Sequence, residues 1–381
     1  MWRLAEDTLG KQDVEALADW LRTEPQLTQG PLVSEFEQRW SAWNGTTDSV
    51  MVSSGSTANL ALVSAITDEK TRPLRIGAAA VTWPTNVTPV LMLGHKLTLL
   101  DVNPRTLGVD SDVACEAMAS GALDVLFVTH LLGFNAFTDE MIRVAGENGV
   151  TILEDCCEAH GAAFHGEKVG NSGRGATFSF YFGHHMSTVE GGMISSNDLE
   201  ITDRLRLIRN HGLARSSKRF DEYSARHPDI DRRFLFVTSG MNYRSTEINA
   251  FLGLRQLEVI DARIVQRNEN LARFLAGAPD WMWTSFRTEG VSSFALPLIA
   301  EDSEGYEAIR AVVDRLGIEG RPVVAGNLAD QPFLRDTDVS KLPGDLHFAN
   351  HIHRFGMYVG NGHHVTPEMI EKLCAELRKA R

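Results

Sequence analysis

Short apolar runs alternate with amphipathic stretches along the first two-thirds of the chain. The amphipathic stretches, such as Ala58–Ile66 and Met141–Glu147, have the apolar spacing of helices. Alternating strands and helices build a parallel sheet through right-handed crossovers, so the pattern predicts an α/β fold with a doubly wound, mostly parallel sheet. Ligands of such sheets bind at the carboxyl ends of the strands. The runs predicted as strands are Val50–Val52, Leu97–Val102, Val125–Thr129, Thr151–Glu154 and Thr177–Phe182.

The last third of the chain has a different pattern. Between Ser245 and about Leu275 the apolar residues recur at helical spacing. A predicted strand, Val291–Ile299, follows, and further helices are predicted near Glu307–Leu316 and at Pro367–Arg381. Strands and helices no longer alternate regularly here, which indicates a separate α+β unit.

These two patterns predict two domains. The large domain comprises residues 1–260 and includes an N-terminal helix at Asp13–Leu21, and the small C-terminal domain comprises residues 261–381. Within the large domain, the polar and arginine-rich segment Thr202–Arg244 is weakly patterned. It predicts a long loop, and long loops in compact domains are usually functional or disordered.

The charge balance excludes two classes of partner. The 381 residues carry 37 Lys plus Arg against 50 Asp plus Glu, for a net charge of −13. Such a chain has no basic excess to meet phosphates, so neither a nucleic acid nor an anionic membrane is an expected partner. The N-terminus has early acids and no apolar core of signal-peptide length, and no run of about 18 apolar residues occurs. We therefore expect a cytoplasmic protein.

The four cysteines, Cys115, Cys156, Cys157 and Cys374, show no regular spacing. They form no C-x-x-C pair of the kind that binds zinc or an iron–sulfur cluster. Low cysteine usage of this kind is typical of a reducing compartment, and buried structural thiols are the expected role. Four histidines near the C-terminus also lack zinc-ligand spacing, so no metal is expected; they are His351, His353, His363 and His364.

Three segments carry candidate chemistry. In Val52–Leu62 a short strand leads through serines and Gly55 into a helix, which makes either a phosphate cradle or an ordinary helix cap. In Ile152–Ala162 the carboxyl end of a predicted strand carries Asp155. Its carboxylate either pairs with a protonated pyridine nitrogen or caps a helix. In Thr177–Asp198 a strand ends before the pair His184-His185. The pair is either a site that titrates near neutral pH or a structural pair, exposed on the surface or hydrogen-bonded in the core.

Taken in order, the motifs resemble the DegT-type sugar aminotransferase family. The series is VSSGSTANLAL, VTWPTNVTPV, ILEDCCEAHGA, SFYFGHHMSTVEGG, RNHG and GMNYRSTEINAFLGLRQLE, and the likeness extends over nearly the whole chain. The resemblance implies the fold of type I pyridoxal-phosphate enzymes, like aspartate aminotransferase, with a seven-stranded large-domain sheet and a small α+β domain. It also implies pyridoxal 5′-phosphate and pyridoxamine 5′-phosphate as cofactors and a homodimer with shared active sites.

The resemblance also implies roles for individual residues. Asp155 pairs with the ring nitrogen and keeps it protonated, and Glu158 lies beside the ring hydroxyl. Trp83 stacks on the ring. Asn242 reaches the phosphate from the partner subunit. The residues implied to hold the phosphate within one subunit are Gly55, Ser56, Thr57 and Ser179.

One position departs from the family pattern. Where the family has a lysine that binds the cofactor covalently, this chain has His184. Imidazole makes no such bond but acts as a general base, which argues against an ordinary aminotransferase. The local sequence resembles the branch of the family that removes the 3-hydroxyl of a nucleotide-linked 4-keto-6-deoxyhexose. GDP-4-keto-6-deoxymannose is the expected substrate, with glutamate as amino donor, and Arg321 is a candidate for the diphosphate.

Three alternatives stay open at this level. An iron–sulfur-assisted dehydratase of CDP-sugars shares the histidine, although it uses clustered cysteines that this chain lacks. A catalytically inactive binding protein with the same fold would also lose the lysine. A third possibility is another outcome of the same first step, such as decarboxylation or epimerisation.

Overall fold

The computed structural model describes residues 1–67, 72–335, 337, 339–342 and 345–381. Among these residues, no helix combines the length and the apolar character that a membrane crossing requires. The strands are β1 (Asp48–Val52), β2 (Arg75–Ala79), β3 (Lys96–Leu100), β4 (Val125–Thr129), β5 (Thr151–Asp155), β6 (Ala163–Phe164), β7 (Glu167–Lys168), β8 (Gly175–Ser179), β9 (Gly192–Ser196), β10 (Ala295–Ile299), β11 (Gly320–Pro322), β12 (Ser340–Leu342) and β13 (Gly356–Gly360). The α-helices are α1 (Lys11–Leu21), α2 (Pro31–Asn44), α3 (Gly55–Thr67), α4 (Thr88–Met92), α5 (Ser111–Ala119), α6 (Asp139–Glu147), α7 (Leu199–Arg209), α8 (Phe220–Arg226), α9 (Glu247–Leu257), α10 (Ile260–Gly277), α11 (Ser303–Leu316), α12 (Pro332–Arg335), α13 (His347–Phe355) and α14 (Pro367–Ala380).

A mostly parallel sheet forms the centre of the molecule. Its strand order in the described residues is β1-β9-β8-β5-β4-β2-β3-β12. Only β9 runs antiparallel to its neighbours, and all other pairs along the β8-to-β12 side are parallel. The predicted α/β fold is therefore confirmed. The seven expected strands are extended by β12, a three-residue edge strand from the C-terminal part of the chain.

The strands form where the apolar runs predicted them, because a parallel sheet covered by helices buries both of its faces. All five residues of β4 and of β8 are buried, and in β5 every residue except the first is buried. Each of the five predicted runs overlaps a strand, and the helical segment after Ser245 forms α9 and α10. The carboxyl ends of β4, β5 and β8 meet at one edge of the sheet.

The prediction of a long loop over Thr202–Arg244 was wrong in part. Helix α7 continues to Arg209, because Asp198 caps it through the N–H groups of Glu200 and Ile201 and its apolar face is buried. Helix α8 lies within the same segment, as do two short 3-10 turns, Ala214–Ser216 and Arg232–Phe234. Two charged residues, Asp203 and Arg209, lie on the buried face of α7 and interrupt its apolar spacing.

A second sheet of antiparallel strands lies in the C-terminal part, in the order β10-β13-β11. Helices α10, α11 and α13 pack around it together with the C-terminal helix α14. The N-terminal segment joins this sheet, because the buried Trp2 forms a parallel bridge with Ile318 and donates from Nε1 to the carbonyl of Gly360 over 2.9 Å. The domain division after residue 260 stays a prediction.

Candidate active site

A cavity of about 670 Å³ opens at the carboxyl ends of the large sheet. Strand ends of the large sheet form one wall, and α10 and the second sheet form the opposite wall. The N-terminal segment closes one side. Of the residues predicted for the site, the cavity is lined by Gly55, Ser56, Trp83, Asp155, Glu158, Ser179 and His184.

The start of α3 lies at one end of the cavity. The first N–H groups of a helix have no partner within it, so those at Gly55 and Ser56 are available to an anion. Ser179, at the end of β8, lies against the same turn: a Cβ added to Gly55 would be 3.0 Å from its Oγ. This end of the cavity therefore offers, from two elements, the donors that the predicted phosphate site requires.

The structure confirms the helix-cap interpretation of this turn, and the phosphate-cradle interpretation stays a prediction. Ser54 caps α3, because its Oγ accepts from the N–H of Thr57 over 3.1 Å. The Thr57 hydroxyl in turn donates to the Ser54 carbonyl over 2.9 Å. Thr57 does not line the cavity, so its predicted contact with a phosphate has no direct support from its position.

Asp155 is buried at the base of the cavity and accepts three hydrogen bonds. Its Oδ2 accepts from the side-chain amides of Asn59 (3.0 Å) and Asn86 (2.8 Å). Its Oδ1 accepts from the N–H of Cys157 over 2.9 Å. These donors hold the carboxylate in one orientation toward the cavity, as an acid that pairs with a ring nitrogen requires.

The two amides that hold Asp155 were not found from the sequence. Each is oriented by a hydroxyl: Thr177 donates to Oδ1 of Asn59 over 2.6 Å, and Thr82 donates to Oδ1 of Asn86 over 2.7 Å. Because the oxygens accept from hydroxyls, the NH₂ groups point to the carboxylate. Asn59 falls in the VSSGSTANLAL motif, but nothing local indicates that it reaches a residue almost a hundred positions later.

Glu158 lies beside Asp155 at the cavity wall. Its Oε2 accepts from the N–H of Leu132 over 2.9 Å. Burial, together with the nearby Asp155 carboxylate, raises the pKa of Glu158 to about 7. Tyr358 of β13 also lines the cavity, and burial and the Glu158 charge raise the pKa of this phenol to about 12. Glu158 is therefore the group in this wall that changes its charge near neutral pH.

His184 follows β8 and lines the cavity on the side of α10. Its ring packs against Phe294, with 5.5 Å between ring centroids, and its Nδ1 is buried without a hydrogen-bond partner among the described residues. Burial lowers the pKa of His184 to about 4, although the Asp155 carboxylate opposes the shift. The imidazole is therefore a neutral base at neutral pH.

The second histidine of the pair has a different environment. His185 is fully buried, and its Nε2 lies 3.2 Å from the carbonyl and 3.1 Å from the hydroxyl of Ser292. It does not line the cavity. The expectation of a core-satisfied pair thus describes His185, whereas His184 faces the open space.

Two further predicted positions lie at or outside the rim. Trp83 lines the cavity with 55% of its surface exposed, so one face of the indole is available for stacking. Asn242 is exposed and outside the cavity, where its Oδ1 accepts from the N–H of Arg244 over 3.2 Å. Its predicted role concerns a second subunit and stays a prediction.

The basic residues differ in whether they reach the cavity. Arg321 lines the cavity, whereas Lys218 and Arg219 pair with Asp48 and Glu222 at 3.1 and 2.7 Å. Arg267 was missed by the sequence analysis: it is 6% exposed, and it lines the cavity from α10. The sequence contains a signal for its burial, because Arg267 falls on the apolar face of that helix.

Of the cysteines and the C-terminal histidines, Cys157 and His353 line the cavity. Cys156 belongs to the apolar core beneath β8, and Cys374 to the core around the second sheet. Cys157 lines the cavity, and burial raises the pKa of its thiol. His351 and His364 face backbone carbonyls of Ala300 and Arg3 at 2.8 and 3.0 Å.

The donor set fits pyridoxal phosphate. At one end of the cavity Gly55 leaves a space that a Cβ would fill. The carboxylate of Asp155 is held in one orientation at the base, and the indole of Trp83 is partly exposed at the rim. These features match the phosphate, the ring nitrogen and the ring plane of that cofactor. The lysine that would bind it covalently is replaced by His184.

Comparison with known proteins places the chain in a family. Residues 7–378 match the model of the DegT/DnrJ/EryC1/StrS aminotransferase family, and the chain belongs to this family. It is 30% identical, over 99% of its length and 98% of the relative, to the GDP-4-keto-6-deoxy-D-mannose 3-dehydratase of Yersinia pseudotuberculosis. The solved structure of the E. coli enzyme of that name, with bound hydrated PLP, superposes with a TM-score of 0.91, 29% identity and 99% coverage of each chain. A structure of that dehydratase with a trapped PLP–glutamate geminal diamine superposes with a TM-score of 0.89 at 27% identity, covering 99% of this chain and all of that one.

Proposed function

We propose that this protein is a pyridoxal-phosphate-dependent 3-dehydratase of a nucleotide-linked 4-keto-6-deoxyhexose, with GDP-4-keto-6-deoxymannose as substrate. The observation that carries the proposal is His184, a neutral base that cannot bind the cofactor covalently, in a site that keeps its phosphate cradle and oriented acid. The relatives named for this reaction match almost the whole chain, which supports the same assignment.

The cofactor would be held by groups already in place. The first turn of α3 and Ser179 receive its phosphate, Asp155 pairs with its ring nitrogen, and Trp83 covers its ring. When bound in its amino form, the cofactor supplies an amine that condenses with the 4-keto group and a ring that accepts electrons.

His184 would move the protons of the elimination. Its neutral imidazole removes a proton at the 4′ carbon of the cofactor, and the same group then returns a proton to the departing 3-hydroxyl. A lysine at this position would compete with the sugar for the cofactor, whereas an imidazole does not. The loss of the lysine therefore favours elimination over transfer of the amino group.

The overall reaction needs an amino donor. Loss of the 3-hydroxyl and hydrolysis release a 3-deoxy-4-ketose and ammonia and leave the cofactor as its aldehyde. Glutamate restores the amine and leaves as 2-oxoglutarate, so each turnover consumes one glutamate and releases one ammonia. The PLP–glutamate adduct trapped in the related enzyme supports glutamate as the donor. We further propose a homodimer in which Asn242 of each subunit completes the phosphate site of the other.

The test is turnover of GDP-4-keto-6-deoxymannose by the purified protein loaded with PLP and supplied with glutamate. We expect equal amounts of ammonia and 2-oxoglutarate, loss of both in His184→Asn, and unchanged release in His227→Asn, an exposed histidine outside the cavity. Full activity of His184→Asn would refute the role of this base. Glutamate-dependent conversion of the cofactor without loss of the sugar hydroxyl would indicate another outcome of the same first step, and no cofactor binding would indicate an inactive scaffold.

A further inference from the structure

Arg267 is a buried cation without a partner acid. It is 6% exposed, and its Nη1 donates to the neutral carbonyl of Phe294 over 2.7 Å. Across the described ranges of the chain, no carboxylate lies within 4.0 Å of its guanidinium. A guanidinium stays charged in proteins, and a buried charge without a counter-ion is costly. An anion in the cavity would offset that cost.

The position of Arg267 limits which anion it meets. Phe294, whose carbonyl accepts from Arg267, packs its ring on His184, so the guanidinium lies beside the reacting centre. The predicted phosphate site at Gly55 and Ser179 is built by other elements, the start of α3 and the end of β8, whereas Arg267 belongs to α10. The diphosphate of a nucleotide sugar is separated from the reacting 4-keto carbon by the hexose ring, and the exposed Arg321 lines the cavity nearer solvent.

In an amino donor, unlike in a nucleotide sugar, the anionic group lies close to the reacting atom. The donor presents its amine at the reacting centre, and its carboxylate lies only one or a few carbons from that amine. We propose that Arg267 receives a carboxylate of the amino donor and thereby selects an amino acid, such as glutamate, for the regeneration step. This inference rests on the proposed function for the existence of that step, and it names the chemistry that recognises the donor.

The arrangement separates the two half-reactions. The nucleotide sugar and the donor use the same centre in turn, and Arg267 pairs only with the donor. Removing its charge should therefore weaken the binding of the donor and leave the affinity for the nucleotide sugar unchanged. A hydrogen bond to a charged group changes affinity by about tenfold to hundredfold. We therefore expect the affinity for the donor, and only that affinity, to fall by about this factor.

The experiment uses the PLP-loaded protein and two readouts. Conversion of the cofactor band is followed against glutamate concentration, and binding of glutarate, which has the carboxylates but no amine, is measured by calorimetry. In Arg267→Gln we expect about tenfold to hundredfold weaker half-saturation by glutamate and weaker glutarate binding, and Arg267→Lys should lie between this variant and the parent. Arg263→Gln is the matched control, since Arg263 bonds to neutral oxygens of Gln256 and Thr8 and lies outside the cavity.

Each outcome decides the proposal. The amine-loaded Arg267→Gln protein should be half-saturated by the parental concentration of nucleotide sugar, and its circular dichroism spectrum shows whether it is folded; if it is not folded, Arg267→Lys provides the test. Unchanged glutamate and glutarate binding would overturn the proposal, as would the absence of glutarate binding in the parent. A loss confined to sugar affinity or to PLP affinity would place Arg267 at those ligands instead. Failure of sugar dehydration with an intact donor step would refute the proposed function but not this role.

Discussion

The contact between Gly55 and Ser179 allows a sharp test of the phosphate cradle. A Cβ added to Gly55 would lie 2.6 Å from Cβ of Ser179 and 3.0 Å from its Oγ. Neither neighbour yields easily, because Gly55 begins α3 and Ser179 ends the fully buried β8. Gly55→Ala therefore has to push the first turn of the helix away from the strand.

The size of the effect follows from this displacement. Overpacking of a buried contact costs about 1–3 kcal/mol, and the better helix propensity of alanine returns less than about 1 kcal/mol. We expect a net loss of about 1–2 kcal/mol in the free energy of unfolding. If the displaced turn loses one charge-assisted hydrogen bond to the phosphate, PLP binds about tenfold to hundredfold more weakly.

The assay is a titration of the apoprotein with PLP, followed by absorbance, beside urea unfolding. Gly146→Ala is the matched control, because a Cβ at that exposed helical glycine has no neighbour within 4 Å and PLP affinity should not change. Ser179→Ala separates steric from polar effects, since it removes the hydroxyl and adds no atom. Parental PLP affinity in Gly55→Ala would refute the assignment of this turn as the cradle.

Two further predictions concern stability. The buried Glu247 accepts from three N–H groups at the start of α2, at 2.8–2.9 Å, so Glu247→Gln should lower the free energy of unfolding by about 2–3 kcal/mol in urea titrations. The exposed Glu258→Gln should change it by less than about 0.5 kcal/mol, and equal effects would contradict the capping role. The pKa of Glu158 rises from 4.5 to about 7 on folding, so between these pH values the folded apoprotein binds a proton that the unfolded chain does not. The contribution of Glu158 to the free energy of unfolding therefore falls as pH rises from 4.5 to 7. Glu158→Gln should remove that decline, on the order of 3 kcal/mol, from the pH dependence of unfolding, and parallel pH profiles of the two proteins would disprove it.

The parts of the fold that the sequence predicted are those with a strong local signal. The run Val125–Thr129 is apolar up to its final threonine and forms β4 with the predicted bounds. Strand β2, RIGAA, was missed because glycine and alanine carry little strand preference. Its conformation is set by its neighbours: a Cβ at Gly77 would lie 2.8 Å from the Leu123 side chain, so only a small residue fits between the packed layers.

The candidate site was predicted to the extent that its residues lie in family motifs. Asp155, Ser179 and His184 follow strands whose ends meet in any sheet of this kind, so their convergence was predictable. The amides of Asn59 and Asn86 meet at Asp155 only through tertiary packing, which no local pattern contains.

The attachment of Trp2 to the second sheet bears on synthesis of the protein. The first residues bond to partners more than three hundred positions later: Trp2 to Gly360, and Leu4 to the side chain of Glu319. Leu4 also lines the cavity. These residues are synthesised more than three hundred positions before their partners, so the nascent chain holds them unpaired while the intervening positions are translated. The wall of the cavity is therefore completed in a late, non-local step of folding.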